Sequence, residues 1–231
     1  MIAHEVFRLD LVLLEFVDEI GDDARQTGPV SDGVINPKLR TQVAQQFAQQ
    51  SEARCLADEA LGLTVEDLDA IGWLDLTIDG ADEVDPDLNL IKGGGAAHLR
   101  EKIVATASDR MVVIADQGKV VDRLGAFHLP VEVIPFGWQA TRTLIQRALD
   151  RLELTQRPIL LRKRADAPLR TDEGNLVLDL ALESIPDAEA LATELSAIAG
   201  VVEHGLFLNI CELAIIGCPD GSVVELRRED M

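Results

Sequence analysis

Residues 74–116 read LDLTIDGADEVDPDLNLIKGGGAAHLREKIVATASDRMVVIAD, and the way this stretch divides decides the fold class. Leu74, Leu76 and Ile78 alternate with Asp75, Thr77 and Asp79, the two-residue period of a short strand over 74–79. Gly93, Gly94 and Gly95 make a turn, after which Leu99, Ile103 and Ala107 recur at four-residue spacing on one helical face. The run MVVIAD at 111–116 is apolar up to its last residue, which suits a strand buried on both faces of a parallel sheet. Strand, helix, strand in this order predicts an α/β unit.

Outward from this unit, EARCLADEALGL at 52–63 reads as an amphipathic helix. Downstream the pattern changes near Leu129. Residues 130–134 read as a strand, 138–153 as a helix, and 158–164 and 175–181 as two strands around the turn formers Asp172, Glu173 and Gly174. A helix over 187–199 is stopped by Gly200, and VVEHGLF at 201–207 follows as a strand. The order β-α-β-β-α-β is the split, ferredoxin-like arrangement of a second, smaller α+β unit. LAIIG and VVELR then flank Pro219-Asp220-Gly221-Ser222, a hairpin turn.

Composition narrows the partners. The chain has 231 residues, 47% of them hydrophobic and 27% charged, the balance of a soluble globular protein with a proper core. Its formal net charge of −20 repels nucleic-acid backbones and anionic lipid headgroups. An anionic substrate would therefore need a local site built from a few Lys, Arg and backbone N–H groups. Cys55, Cys211 and Cys218 are odd in number and show no C-x-x-C spacing, so reduced thiols are expected. His4, His98, His128 and His204 are scattered and make no metal-ligand pair on one helical turn. Glu5, Arg8, Asp10, Glu15 and Asp18 interrupt the apolar patches of the first twenty residues, against a leader or membrane span. A cytoplasmic protein is the expectation.

The chemistry concentrates in Asp79-Gly80-Ala81-Asp82-Glu83-Val84-Asp85, Lys92-Gly93-Gly94-Gly95 and Arg100-Glu101-Lys102. Asp79 closes a strand at its carboxyl end, where open α/β sheets gather ligand-binding groups. Three glycines let backbone approach a ligand and feed the first N–H groups of the next helix, a ready anion site. Lys92 puts a positive charge beside that turn, and helical side chains tilt toward the N-terminus, so Glu101 leans back toward the glycine turn. A base beside oxyanion-stabilising donors is what proton transfer alpha to a carbonyl requires. Each element also has a plain structural reading. Triple glycine is commonly a tight turn, Asp79 and Asp82 could be solvated loop carboxylates, and Glu101 beside Lys102 could be an exposed helical face. Only as an ordered set do they point to a site.

DGADEVDPDLNLIKGGGAAHLREKIVA resembles the signature block of type-A ribose-5-phosphate isomerases. The likeness continues through VVIADQGKVVDRLGAFHLPVEVIPFG, RTDEGNLVLDL and IAGVVEHGLFL, over roughly 51–226. The resemblance implies an α/β fold with a Rossmann-like parallel-sheet domain over 1–128, completed by 207–231, and a ferredoxin-like lid or interface domain over 129–206. It implies an isomerase of the pentose phosphate pathway that interconverts ribose 5-phosphate and ribulose 5-phosphate with neither metal nor cofactor. Glu101 would be the general base. Asp79 and Asp82, with Gly80 and Ala81 between them, would bind sugar hydroxyls and assist ring opening. Lys92 and the amides of Gly93, Gly94 and Gly95 would stabilise a cis-enediolate, and Lys119 would also touch the sugar phosphate. A homodimer or homotetramer is implied.

The first fifty residues depart from that family. Its members carry a Gly-Thr-Gly-Ser-Thr loop for the substrate phosphate, whereas this chain has QTGPVSDG at 26–33. Pro29 removes a backbone donor and Asp32 adds a repelling charge. Two readings therefore stand at this point: the isomerase, and a catalytically impaired sugar-phosphate-binding protein of the same fold. A sugar-phosphate deaminase or a CoA transferase of related architecture fits the ordered set less well.

Overall fold

The computed structural model describes residues 67–228. The helix expected at 52–63 and the atypical stretch 26–33 lie outside them. In chain order the first half holds α1 (Leu68–Ile71), β1 (Thr77–Asp79), β2 (Glu83–Val84), β3 (Leu90–Ile91), α2 (His98–Thr106) and β4 (Met111–Asp116). Next come β5 (Leu129–Val133), α3 (Trp138–Arg151), β6 (Ile159–Leu161), β7 (Lys163–Arg164), β8 (Ala167–Pro168) and β9 (Leu176–Leu180). The last elements are α4 (Ala188–Ser196), β10 (Val201–His204), β11 (Leu206–Phe207), β12 (Leu213–Gly217) and β13 (Val223–Arg227).

The first sheet runs β1-β4-β12-β13. β1 and β12 both lie parallel to β4, and β13 turns back antiparallel at the edge through the expected hairpin. Met111, Val112 and Val113 of β4 are all buried, as a strand covered on both faces requires. The strand expected over 74–79 is shorter, because Leu74 makes only an isolated bridge to Ser108 before β1 begins. Asp79 is the last residue of β1, so its carboxylate sits at the carboxyl edge of the parallel strands.

The second sheet runs β10-β5-β9-β6, with every neighbouring pair antiparallel. Its core joins Leu129, Val131 and Val133 of β5 and Leu178 and Leu180 of β9 to Ile145 and Leu149 of α3 and Leu191 and Leu195 of α4. The amphipathic period of each helix supplies those residues. One charged group interrupts this interior: Glu132 is buried and accepts from Thr171 Oγ1 at 2.8 Å and Asn175 Nδ2 at 2.9 Å. Burial raises its pKa, and the two hydrogen bonds pull it back only in part.

Two segments divide differently from the sequence pattern. Residues 83–91, which lack any readable period, hold β2 and β3, and these form a third sheet with β11. The run 201–207 is not one strand. It breaks at Gly205, so that β10 stays in the second sheet while β11 pairs with β3. At the break, Gly205 N–H donates to Pro130 O at 2.8 Å and Gly205 O accepts from Lys92 N–H at 2.9 Å. A Cβ on Gly205 would run into the Lys92 carbonyl and the Pro130 ring, so only glycine permits this crossing. The run 158–164 likewise splits into β6 and β7 around Arg162.

Gly205→Ala is expected to lower the unfolding free energy by about 1–3 kcal/mol, the usual cost of forcing atoms into a filled space. Urea unfolding of the two proteins measures it. A change below about 0.5 kcal/mol, the range of an ordinary surface substitution, would show that the crossing opens without strain.

Candidate active site

The site forms where β1, β3 and the start of α2 converge. Asp79 turns its Oδ1 back onto the Gly80 N–H at 2.8 Å, which fixes the carboxylate rotamer. Lys92 follows β3 directly and is 3% exposed, a depth that an ammonium tolerates only with several partners. It has three. Its Nζ lies 2.7 Å from Asp79 Oδ2 and 3.2 Å from Glu101 Oε2, and donates to the Gly80 carbonyl at 2.6 Å. The Phe207 ring centroid is a further 5.5 Å from the same ammonium.

Glu101 lies in the first turn of α2, where the positive end of the helix dipole favours a carboxylate. Between Lys92 and α2 runs the glycine turn. Gly93 takes a φ of +109°, and a Cβ there would stand 2.7 Å from Nδ1 of buried His98. The turn can therefore pack onto α2 only without a side chain. Gly94 N–H donates to Asp82 Oδ2 at 2.7 Å, and Lys119, on the 3-10 turn after β4, brings its Nζ to 3.9 Å from Asp82 Oδ1.

The structure thus gathers Asp79, Lys92 and Glu101 into one ion cluster, with Asp82, Gly94 and Lys119 beside it. Gly80 contributes its carbonyl, and Ala81 joins the two aspartate positions as half-buried backbone. Gly95 is exposed, and its N–H has no partner among the described residues. Two supporting residues escape single-sequence reasoning. Phe207 was readable only as part of a strand. Glu83 is buried and accepts from the backbone N–H groups of Gly125 and Phe127 at 2.6 and 2.5 Å, tying this corner to the segment before β5. Its place inside the acidic motif was the one available signal, and it points inward rather than to the site.

Electrostatics set the two key groups against each other. Burial pushes the Glu101 carboxyl up from its ordinary 4.5; Lys92 draws it back, Asp79 pushes it up again, and the net direction is upward. For Lys92 burial acts downward, yet Asp79 and Glu101 together outweigh it and hold the ammonium above its ordinary 10.5. The result is a fixed positive charge next to a carboxylate that is more basic than usual. That pairing suits abstraction of a proton from carbon with charge developing on a neighbouring oxygen. No group of three or more His, Cys, Asp or Glu able to hold a metal occurs among the described residues. No described helix is long and apolar enough to cross a membrane.

The sequence model described as ribose 5-phosphate isomerase A (phosphoriboisomerase A) matches residues 47–221. The chain belongs to this family. A family relative, ribose-5-phosphate isomerase A of Cereibacter sphaeroides, is 61% identical over 164 residues, which cover 71% of this chain and 63% of that one. The chain thus spans less than two thirds of the length of the first relatives it matches. Among solved structures of the family, the ribose 5-phosphate isomerase from Plasmodium falciparum is 34% identical with a TM-score of 0.71, covering 78% of this chain and 77% of its own. A further D-ribose-5-phosphate isomerase, solved in complex with phospho-erythronic acid, is 35% identical with a TM-score of 0.68, covering 78% and 75%. The family membership implied by the motif at 79–102 holds, and the impaired reading gains no support from these relatives.

Replacing Lys92 by Met leaves two buried carboxylates facing each other without a counter-charge. Breaking a buried pair in this way costs about 3–5 kcal/mol, and that loss is expected at pH 7 in urea unfolding. The sign of its pH dependence follows from Glu101. Its folded pKa is raised, so as pH falls through that value the carboxyl becomes neutral and needs no ammonium. The deficit of Lys92→Met relative to the parent should therefore shrink toward acid. A deficit that is constant from pH 7 to 4.5 would show that Glu101 is not titrating in this cluster.

Proposed function

We propose that this chain interconverts D-ribose 5-phosphate and D-ribulose 5-phosphate through a cis-enediolate. The observation that carries the reading is the Lys92 ammonium held 3.2 Å from Glu101 at the mouth of a glycine turn. Glu101 takes the proton from C2 of the open-chain aldose. The C–H electron pair becomes the C1=C2 double bond, and the carbonyl π pair moves onto O1. Lys92 and the amides of Gly93 to Gly95 meet that charge. The proton on O2 passes to O1, and return of the proton from Glu101 to C1 then turns C2–O2 into the carbonyl and gives the ketose. Asp79 and Asp82 bind the sugar hydroxyls and exchange protons with O1 and the ring oxygen during ring opening, and Lys119 contacts the substrate beside Asp82. Phospho-erythronic acid, the ligand of one structural relative, suits such a site chemically. It carries two oxygens on its terminal carbon, as an enediolate carries two on adjacent carbons.

The same proposal covers the architecture. The β10-β5-β9-β6 order with helices after its first and third strands in sequence supports a ferredoxin-like unit over 129–206, beside a Rossmann-like domain over 1–128 and 207–231. The chain crosses between them at Gly205, one residue before β11. A homodimer or homotetramer belongs to the reading as well.

Purified protein is expected to convert ribose 5-phosphate to ribulose 5-phosphate in a coupled assay. Glu101→Gln should lower kcat by about 10²–10⁴-fold, the typical worth of a general base; an undiminished kcat would remove Glu101 from that role.

The acid limb of kcat/KM is a separate check. Glu101 must be ionised to act, and its pKa is raised, so activity should fall away at a pH above 4.5 as the solution is acidified. A limb at or below 4.5 would assign the base to a different carboxylate.

A further inference from the structure

We infer that Arg162 is a positioning residue that orients the backbone N–H groups of the glycine turn toward the site, so that a side chain beside the second sheet fixes the donors of the turn after β3. The inference rests on the isomerase reading for its kinetic consequence, and on geometry alone for the contact itself. Arg162 lies between β6 and β7, far in sequence from Lys92, which follows β3. Its Nε donates to Asp179 Oδ2 at 2.9 Å and its Nη2 to Asp179 Oδ1 at 2.5 Å, a two-pronged pair that leaves the guanidinium no rotational freedom. Both side chains are largely buried, at 14% and 15% exposed. The remaining prong, Nη1, donates to Gly93 O at 2.7 Å and to Gly94 O at 3.1 Å.

A trans peptide is planar, with its C=O and N–H pointing opposite ways. Holding a carbonyl therefore aims the next amide. The plane joining Gly93 and Gly94 is gripped at both ends, at the oxygen by Arg162 and by the Ala96 N–H at 3.0 Å, and at the Gly94 N–H by Asp82 Oδ2, 2.7 Å away. The plane joining Gly94 and Gly95 is gripped only at its oxygen, which turns the Gly95 N–H away from Arg162. That N–H, like the Gly93 N–H, has no partner among the described residues. Glycine occupies positive and negative φ with similar ease, so three in succession would otherwise let these planes rotate. Arg162 is the side chain that spans both carbonyls, and at Gly94 O it is the one partner among the described residues, so it restricts that freedom at the place where charge develops. A lysine in its position has a single ammonium, which lacks the fork needed to hold Asp179 with two prongs and the carbonyls with a third.

The test uses the full chain with Arg162→Met, Arg162→Lys and Asp179→Asn. Kinetics with ribose 5-phosphate, amide exchange at 93–97 and urea unfolding are measured on each. Arg162→Met should lower kcat by about 10²-fold, the scale of one lost oxyanion donor. KM should change by less than about threefold, because the interaction matters in the transition state. Added guanidinium ion, well below denaturing levels, should restore part of the lost kcat in Arg162→Met and none in the parent. The Gly94 amide should exchange faster while amides of α2 keep their protection. If Arg162→Met does not fold, Arg162→Lys and Asp179→Asn, which keep hydrogen-bonding groups in place, are expected to show the same loss of kcat with faster Gly94 exchange. A lowered unfolding midpoint with unchanged kcat and unchanged Gly94 exchange would make Arg162 a brace between sheets and overturn the inference. Should the parent protein itself fail to isomerise ribose 5-phosphate, the functional reading falls, and Gly94 exchange alone then decides whether Arg162 orients the turn.

Discussion

The Lys92 ammonium is enclosed by groups from three separate segments, and much of the surrounding structure follows from keeping it there. Desolvating an ion costs several kcal/mol even after relaxation, while one opposite charge near 4 Å returns about 4 kcal/mol at an effective dielectric near 20. A single carboxylate would leave the balance near zero. Two carboxylates and a carbonyl tip it, which is why Asp79, Glu101 and the Gly80 oxygen all converge on Nζ. Each convergence constrains an element. β1 must end at Asp79, α2 must start so that Glu101 falls in its first turn, and the backbone at 93–95 must be compact enough to bring them together.

The second constraint is mechanical and lies directly behind the first. Lys92 N–H is bonded to the Gly205 carbonyl, the point where the chain leaves β10 for β11. Arg162 reaches across from the same second sheet to the carbonyls of the next two residues. The reactive turn is thus held from behind by backbone and from one side by a guanidinium. A third support lies beneath α2, where Lys102 Nζ donates to Glu203 Oε1 and to the His204 carbonyl, both at 2.6 Å. Lys102 also places its ammonium 5.0 Å from the Phe207 ring, on which Lys92 rests as well.

The α/β unit was legible because its signals are long and local. The alternation before Asp79, the apolar run at 111–116 and the amphipathic helices over 138–151 and 188–196 each extend over enough residues for a period to show. The catalytic candidates were legible for a different reason, as charged residues ordered around glycines. What the sequence did not reveal depends on distant partners. β2 and β3 have two residues each, too few for any period, and exist because β11 comes to pair with them. The break at Gly205 is dictated by the Lys92 carbonyl more than a hundred positions upstream, so 201–207 looks like one strand in isolation. Arg162 has an ordinary charged-residue context in the sequence and Glu83 only its place in the acidic motif, and it is the fold that turns both inward.

The order of the first sheet has a consequence for how the protein is made. β4 is flanked by β1 on one side and by β12 on the other, and β12 is synthesised after the whole second sheet. Until residues 213–217 leave the ribosome, β4 presents a bare hydrogen-bonding edge of apolar residues, the kind of surface that recruits foreign strands. The second sheet closes on itself from contiguous sequence and can form earlier, with its own interior. During translation the sheet that carries Asp79 is therefore the late and vulnerable half, and its assembly waits on the arrival of a strand that contributes no residue to the ion cluster.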